Sequence, residues 1–266
     1  MRTPVAIGFY PHDPSELRGL VERLLDQEVG EREAIAAIVP HAGYEYSGRI
    51  AGATYAAIKT EHEIFCIACP NHTGLGKSVA LSLQDWETPL GVVRNARLFA
   101  DEVPVDESAH RYEHSLEVQL PFLQVKYGSF ALVPLCLSRI GFDELEELAE
   151  KLAREDVFYI ASSDFTHFGS NYAYLPFFSP KLEENVKRVK KMDMEAIAFI
   201  RRLDAKGFYD HVIKQGLTIC GFVPITLILL IAKLLGAKRA TLIKYGSSFE
   251  VYPNESFVTY AGIIIS

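Results

Sequence analysis

Ala34-Ile35-Ala36-Ala37-Ile38-Val39-Pro40-His41-Ala42-Gly43-Tyr44-Glu45-Tyr46-Ser47-Gly48 reads as strand, loop and helix in direct succession. Its first six residues form an unbroken apolar run of strand length, the pattern of a parallel strand buried on both faces. Residues 47–59 carry a helical pattern rich in Ala and Gly, whose small side chains permit close approach to neighbouring backbone. His41 stands at the carboxyl end of the strand. Open α/β sheets collect ligands and catalytic groups beyond the carboxyl ends of their strands, so an imidazole there is placed for chemistry.

The arrangement recurs twice. The apolar run of residues 63–69 leads into Pro70-Asn71-His72-Thr73-Gly74, and that of residues 157–161 leads into Ser162-Ser163-Asp164-Phe165-Thr166-His167. If the three strands are parallel neighbours, His41, His72, Asp164 and His167 converge on one crevice. A single strand-end histidine is most simply a hydrogen-bonded loop residue; three at equivalent positions point to a site.

Composition narrows the partners. The 266 residues are 49% hydrophobic and 23% charged, as in an ordinary soluble globular protein. A formal net charge of -7, without any Lys/Arg cluster, argues against nucleic acid or an anionic membrane as the main partner and leaves small molecules and proteins. Four cysteines, with no charged and apolar leader at Met1-Arg2-Thr3-Pro4, do not make a secreted disulfide scaffold, and a cytoplasmic location is expected. Cys66 and Cys69 form a C-x-x-C, but on a strand their side chains point to opposite faces, which disfavours a chelate or a redox pair.

The rest of the chain alternates in the same way. Residues 15–27 set Leu17, Leu20, Val21, Leu24 and Leu25 on one helical stripe. Residues 79–83 and 91–93 read as a β-excursion around Asp85-Trp86-Glu87-Thr88-Pro89. A helix is expected from Arg111 to about Tyr127, with His114 near its start, where the helix dipole lowers a histidine's pKa. A buried strand over 130–137 and an amphipathic helix over 142–154 lead to the third site-bearing strand.

Helices are expected over 180–202, with interspersed charges on a solvated face, and over 204–215. His12, His62 and His211 read as surface or structural residues. Residues 216–232 contain no charge, but this stretch sits at the short limit of the roughly 17–25 residues a membrane span needs and carries Pro224, so a buried core helix is expected. Cys220 falls at the start of that helix, where the dipole favours a thiolate. Strands over 240–249 and 257–265 close the chain. The expected fold is one α/β domain over residues 1–266, with a mostly parallel central sheet and helices on both faces.

Five ordered motifs resemble the Memo (mediator of cell motility) family: Pro40-His41-Ala42-Gly43-Tyr44 with Ser47-Gly48; Pro70-Asn71-His72; Glu113-His114-Ser115-Leu116-Glu117; Ser162-Ser163-Asp164-Phe165-Thr166-His167; and Thr218-Ile219-Cys220-Gly221. The resemblance implies a fold similar to class III (LigB-type) extradiol dioxygenases, in which two histidines and a carboxylate bind iron. It carries the histidines onto His41 and His72 and the third ligand onto Cys220, a thiolate in place of an acid. That change shifts metal preference toward copper or Cys-ligated iron, so ring cleavage is not inherited with the fold. Cys69 also departs from the glycine expected before Pro70. At the family level the resemblance implies association with radical-SAM and AMMECR-type proteins.

Three readings follow. In the first, a mononuclear iron or copper held by His41, His72 and Cys220 acts on a small substrate or dioxygen, with Asp164, His167 and His114 as acid/base groups. In the second, the crevice is a binding module for a peptide or protein. In the third, two histidines and Asp164 hold zinc for hydrolysis. No G-x-S-x-G or similar nucleophile motif is present, which removes acyl transfer.

Overall fold

The computed structural model describes residues 1–266. In chain order its elements are α1 (Pro14–Leu25), β1 (Arg32–Glu33), β2 (Ala36–Val39), α2 (Tyr44–Ala57), β3 (Ile58–Lys59), β4 (Ile64–Pro70), β5 (Val79–Leu81), β6 (Trp86–Thr88) and β7 (Gly91–Asn95). There follow α3 (Leu120–Tyr127), β8 (Ala131–Leu137), α4 (Phe142–Leu152), β9 (Val157–Ser162), β10 (His167–Phe168), α5 (Leu182–Arg201), α6 (Ala205–Gln215), α7 (Phe222–Leu234), β11 (Ala240–Ser247) and β12 (Phe257–Ile265).

Ten of the strands form one sheet, with β2, β9, β4 and β8 side by side and parallel at its centre. Every residue of β2 and β9 is buried, which is why these strands read as continuous apolar runs rather than alternating ones. Alternate residues feed two large apolar clusters, one on each face of the sheet: Ile38, Cys66 and Tyr159 on one side, Val39, Cys69 and Phe158 on the other. The two clusters are therefore two sides of one domain. Cys66 and Cys69 face opposite ways, as the period of two requires, and all four cysteines are free.

The sheet is mixed rather than mostly parallel. Four pairings are parallel and five antiparallel, because β12 returns beside β2 in the reverse direction and pairs with β10 and β11, while β5 and β6 form antiparallel edges. A segment that reverses through a short connection has no room for the crossover a parallel partner needs.

Two helices begin elsewhere than the sequence suggests. Helix α2 starts at Tyr44, so its first turn lies directly behind His41. It packs on α1 so closely that a Cβ at Gly52 would lie 2.1 Å from the carbonyl oxygen of Leu24. The expected helix from Arg111 is turns and a short 3-10 segment up to Gln119, with α3 only from Leu120. Arg2 explains the delay: its guanidinium donates to the carbonyls of His110 (3.0 Å) and Glu113 (2.6 Å), which a helix would have needed as acceptors. Residues 216–232 enter the core through α7, and no helix is long and apolar enough to cross a membrane.

Candidate functional site

The parallel register aligns the ends of three strands. Val39 lies opposite Ser162 and Ala68 opposite Ala161, so the loops carrying His41, His72 and Asp164 leave the sheet together. Cys220 reaches the same place from the turn before α7. Gly221 makes this approach possible, since a Cβ there would stand 2.6 Å from the carbonyl oxygen of Ser162, and its amide donates to Ser163 Oγ at 3.0 Å.

His41, His72 and Cys220 each direct one ligand-capable atom into a cluster within which all lie no more than 4.8 Å apart. His41 Nε2 is 3.3 Å from Cys220 Sγ. Tetrahedral coordination, with bonds of about 2.0 Å to nitrogen and 2.3 Å to sulfur, would place the same two atoms about 3.5 Å apart. The donor spacing thus fits a single ion of this kind.

Hydrogen bonds decide which nitrogen of each ring faces the cluster. Ser162 Oγ donates to the carbonyl of Ser115 (2.6 Å) and accepts from Gln119 Nε2 (2.8 Å). A hydroxyl has one proton, so its contact with His41 Nδ1 (3.0 Å) must be one in which the ring donates. Nε2 is left with its lone pair toward Cys220. Gln119 is itself fixed, donating to the Pro40 carbonyl and accepting from Tyr55. At the second histidine, Glu113 Oε1 accepts from His72 Nδ1 (2.9 Å) and Oε2 from the His72 amide (2.7 Å). A carboxylate only accepts, so here too Nδ1 carries a proton, and Nε2 is the nitrogen turned toward the cluster.

The electrostatics of the two rings differ. Burial holds His41 well below the usual histidine range, and the neighbouring His72 and His114 push the same way. Burial also opposes a charge on His72, but Cys220 and Glu113 beside it outweigh that and push it up to about 10. Glu113, fully buried, is held down at about 2: His72 and the two donors of Ser115 overcome its desolvation. Burial pushes the Cys220 thiol up, against the pull of His72. The dipole-stabilised thiolate expected from the sequence is therefore overridden, and Cys220 stands one residue before the N-cap, outside the helix.

His114, Asp164 and His167 also reach the crevice, a cavity of about 510 Å³ whose wall includes Phe9, Tyr46, Tyr172 and Tyr260. His114 stacks on His72 with ring centroids 5.1 Å apart and on Phe9 at 4.2 Å. Its pKa falls to about 4 because of burial rather than a helix dipole. Asp164 Oδ1 accepts from the amides of His41 (2.8 Å) and Ala42 (3.3 Å), and burial pushes its carboxyl up. Asp164 does not orient His167. That ring donates from Nδ1 to the carbonyls of Phe165 and Thr218, both at 3.0 Å, which leaves Nε2 as its available acceptor. His12, His62 and His211 take no part in either group of ligand-capable side chains.

Glu113, Ser162 and Gln119 were quoted in the sequence motifs or passed over, with no role assigned to them. A glutamate beside a histidine within a quoted motif was the available signal for Glu113. Ser162 and Gln119 had none, being ordinary residues at a strand end and in a helix-like run. A second ligand-capable group, His72, Glu113 and His114, shares His72 with the first. Glu113 already accepts from His72 and Ser115, so this group is the outer support of the first cluster.

A family model described as Memo-like protein matches residues 2–264. A MEMO1 family protein of Methanosarcina mazei is 37% identical over 280 aligned positions, covering 100% of this chain and 99% of that protein. A MEMO1 family protein of Pyrococcus abyssi is 38% identical, covering 100% and 99%, and one of Archaeoglobus fulgidus 37% identical, covering 99% of each.

Proposed function

This chain belongs to the Memo family, and on that footing we propose that its crevice is a mononuclear metal centre, held by His41, His72 and Cys220, that performs redox chemistry on a small substrate. The observation that supports the reading is the pair of fixed ring orientations: Ser162 and Glu113 each accept a hydrogen bond from Nδ1–H, so both histidines turn Nε2 toward the Cys220 sulfur, where an ion would take the place of any proton on it. Iron or copper bound there would supply one-electron chemistry, and zinc, which the same donors accept, Lewis acidity alone.

The chain's own groups do the rest. His167, with Nδ1 held by two carbonyls, offers Nε2 to take up or return a proton at the crevice. His114, kept neutral by burial, is a second acceptor beside His72. Phe9 and Tyr260 line the crevice and set apolar surface beside these polar groups, which strengthens the contacts inside. Free cysteines suit the reducing cytoplasm.

Purification without chelator, metal analysis, and oxygen uptake in the presence of a reductant test this. One equivalent of iron or copper that depends on Cys220, with oxygen uptake, is the expected result; no stoichiometric metal would sink it. A second reading, a docking site for a peptide, is favoured by the exposed Tyr46, Tyr172 and Tyr252 at the mouth. Metal uptake without oxygen consumption, together with peptide binding blocked by substitution of these tyrosines, would favour it.

A further inference from the structure

We propose that Glu117 is a positioning residue for the crevice: it latches residues 2–10 onto the domain, so that Phe9 holds the His114 ring in its stack on His72. The inference rests on the reading of the crevice as a reactive site in which His114 accepts a proton, and it concerns what keeps that ring in place.

His114 is held unlike the other histidines of the crevice. His41, His72 and His167 each anchor Nδ1 in a hydrogen bond, to Ser162, to Glu113 and to a pair of carbonyls respectively. The His114 ring has no such anchor; its nearest carboxylate oxygen, Glu113 Oε1, stands 3.5 Å from Nδ1, beyond the range of a good hydrogen bond. Its orientation comes instead from two ring contacts, with His72 at 5.1 Å and 21° between planes, and with Phe9 at 4.2 Å and 33°. Of these two partners Phe9 is the closer.

No helix or strand supports Phe9. The chain before Pro14 carries only isolated bridges at Arg2, Ile7 and Tyr10, and a segment of that kind frays unless something ties it down. Glu117 supplies the tie. Its fully buried carboxylate accepts four hydrogen bonds, all from this segment: Oε2 from the Arg2 guanidinium and the Val5 amide (2.9 Å), Oε1 from the Ala6 amide (3.0 Å) and the Tyr10 hydroxyl.

These donors bracket Phe9, with Ala6 before it and Tyr10 directly after. The Phe9 carbonyl then accepts from the amide of Tyr44, the first residue of α2 (2.8 Å), so the segment is tied to the turn that follows His41 as well. A single buried carboxylate thus does for residues 2–10 what a sheet ladder does for the strands, since it satisfies backbone amides that burial has removed from water.

The test reads the position of His114 directly, by NMR on the full chain, with the ring signals assigned through His114→Gln. A proton packed on the face of an aromatic ring is shifted upfield, so Phe9→Leu should move the His114 ring protons downfield, and Phe9→Tyr, which keeps a ring, should hold the wild-type values. Glu117→Gln should move them toward the Phe9→Leu values. It should also speed hydrogen exchange at the Val5 and Ala6 amides by about 10–100-fold, the loss expected when donors give up a charged acceptor.

Faster exchange in Glu117→Gln with His114 shifts unchanged would mean that Glu117 serves stability alone and would overturn the proposal, as would Phe9→Leu shifts equal to the wild type. Glu117→Gln leaves the buried Arg2 without its counter-charge and risks not folding. Glu117→Asp keeps that charge but withdraws it by one methylene, and should shift His114 in the same direction; wild-type shifts in a folded Glu117→Asp with faster Val5 and Ala6 exchange would again overturn it. A wild type without metal or oxygen uptake would count against the reactive-site reading alone, because the shifts report position without turnover.

Discussion

His41 and His72 reach the same point through opposite surroundings. His41 is almost wholly buried, and its Nδ1–H ends in a neutral chain of Ser162, Gln119 and Tyr55. His72 has a third of its side chain open to the crevice, and its Nδ1–H ends on a buried carboxylate. The same residue type, held through the same ring nitrogen, is thus neutral and rigid on one side and anion-backed and accessible on the other. The donor strength of an imidazole is set by what holds its other nitrogen.

The comparison takes these two rings as the histidine corners of the centre, and His167→Ala is the variant that breaks it most severely. Metal stoichiometry should be unchanged while turnover falls by about 10²–10⁴, the usual worth of a general acid or base. Loss of the metal on this substitution would make His167 a third corner and overturn the assignment. Next in size is Cys220→Ser, which exchanges a thiolate for a neutral hydroxyl. Copper affinity should drop by more than the roughly 10–100-fold that an outer partner is worth, and zinc affinity by less. Equal losses, read by competition with a chromophoric chelator, would argue against a thiolate ligand.

The rule that burial keeps the His41 ring neutral is tested away from the ligands by His110, which sequence reading left unremarked. It is buried, donates from Nε2 to the Ala80 carbonyl, and has no partner at Nδ1. Burial depresses its pKa to about 4. Below the unfolded value of about 6.5 the unfolded chain binds a proton the folded one refuses, so stability is lost as pH falls from about 6.5 to 4, by roughly 2–3 kcal/mol from this group. Denaturant midpoints across that range should decline, and His110→Phe should flatten the slope. An unchanged slope would mean that the ring is protonated in place.

The smallest expected effect sharpens the contrast. Ser162→Ala leaves the Ser115 carbonyl without its donor and frees one Gln119 hydrogen, which should destabilise the fold by about 1–3 kcal/mol. It should also weaken Zn2+ binding by about tenfold, because it removes the group that orients the His41 ring. An unchanged Zn2+ affinity, read by competition titration, would show that His41 does not need Ser162 to hold its ring.

Much of this was legible along the chain. Continuous apolar runs located β2, β4 and β9 within two residues, since a strand buried on both faces leaves no polar alternation to misread. His41, His72 and Asp164 followed as strand-end residues, and the five ordered motifs carried the family. Cys220 was found at a chain turn, but its protonation was misjudged, because a dipole is a local property and burial is not.

Local periodicity accounts for the α/β alternation, the parallel centre of the sheet and the residue types gathered at its carboxyl edge. The antiparallel return of β12, the interrupted helix at residues 111–119, and the partner held by each Nδ1 of His41 and His72 arise in the folded chain alone. Those depend on partners far apart in sequence: Arg2 on the carbonyl of Glu113, Glu113 on His72, Ser162 on His41. A hydrogen bond between residues 41 or 121 positions apart leaves no periodic trace in a sequence, and it is those bonds that give two similar histidines two different electrostatic settings.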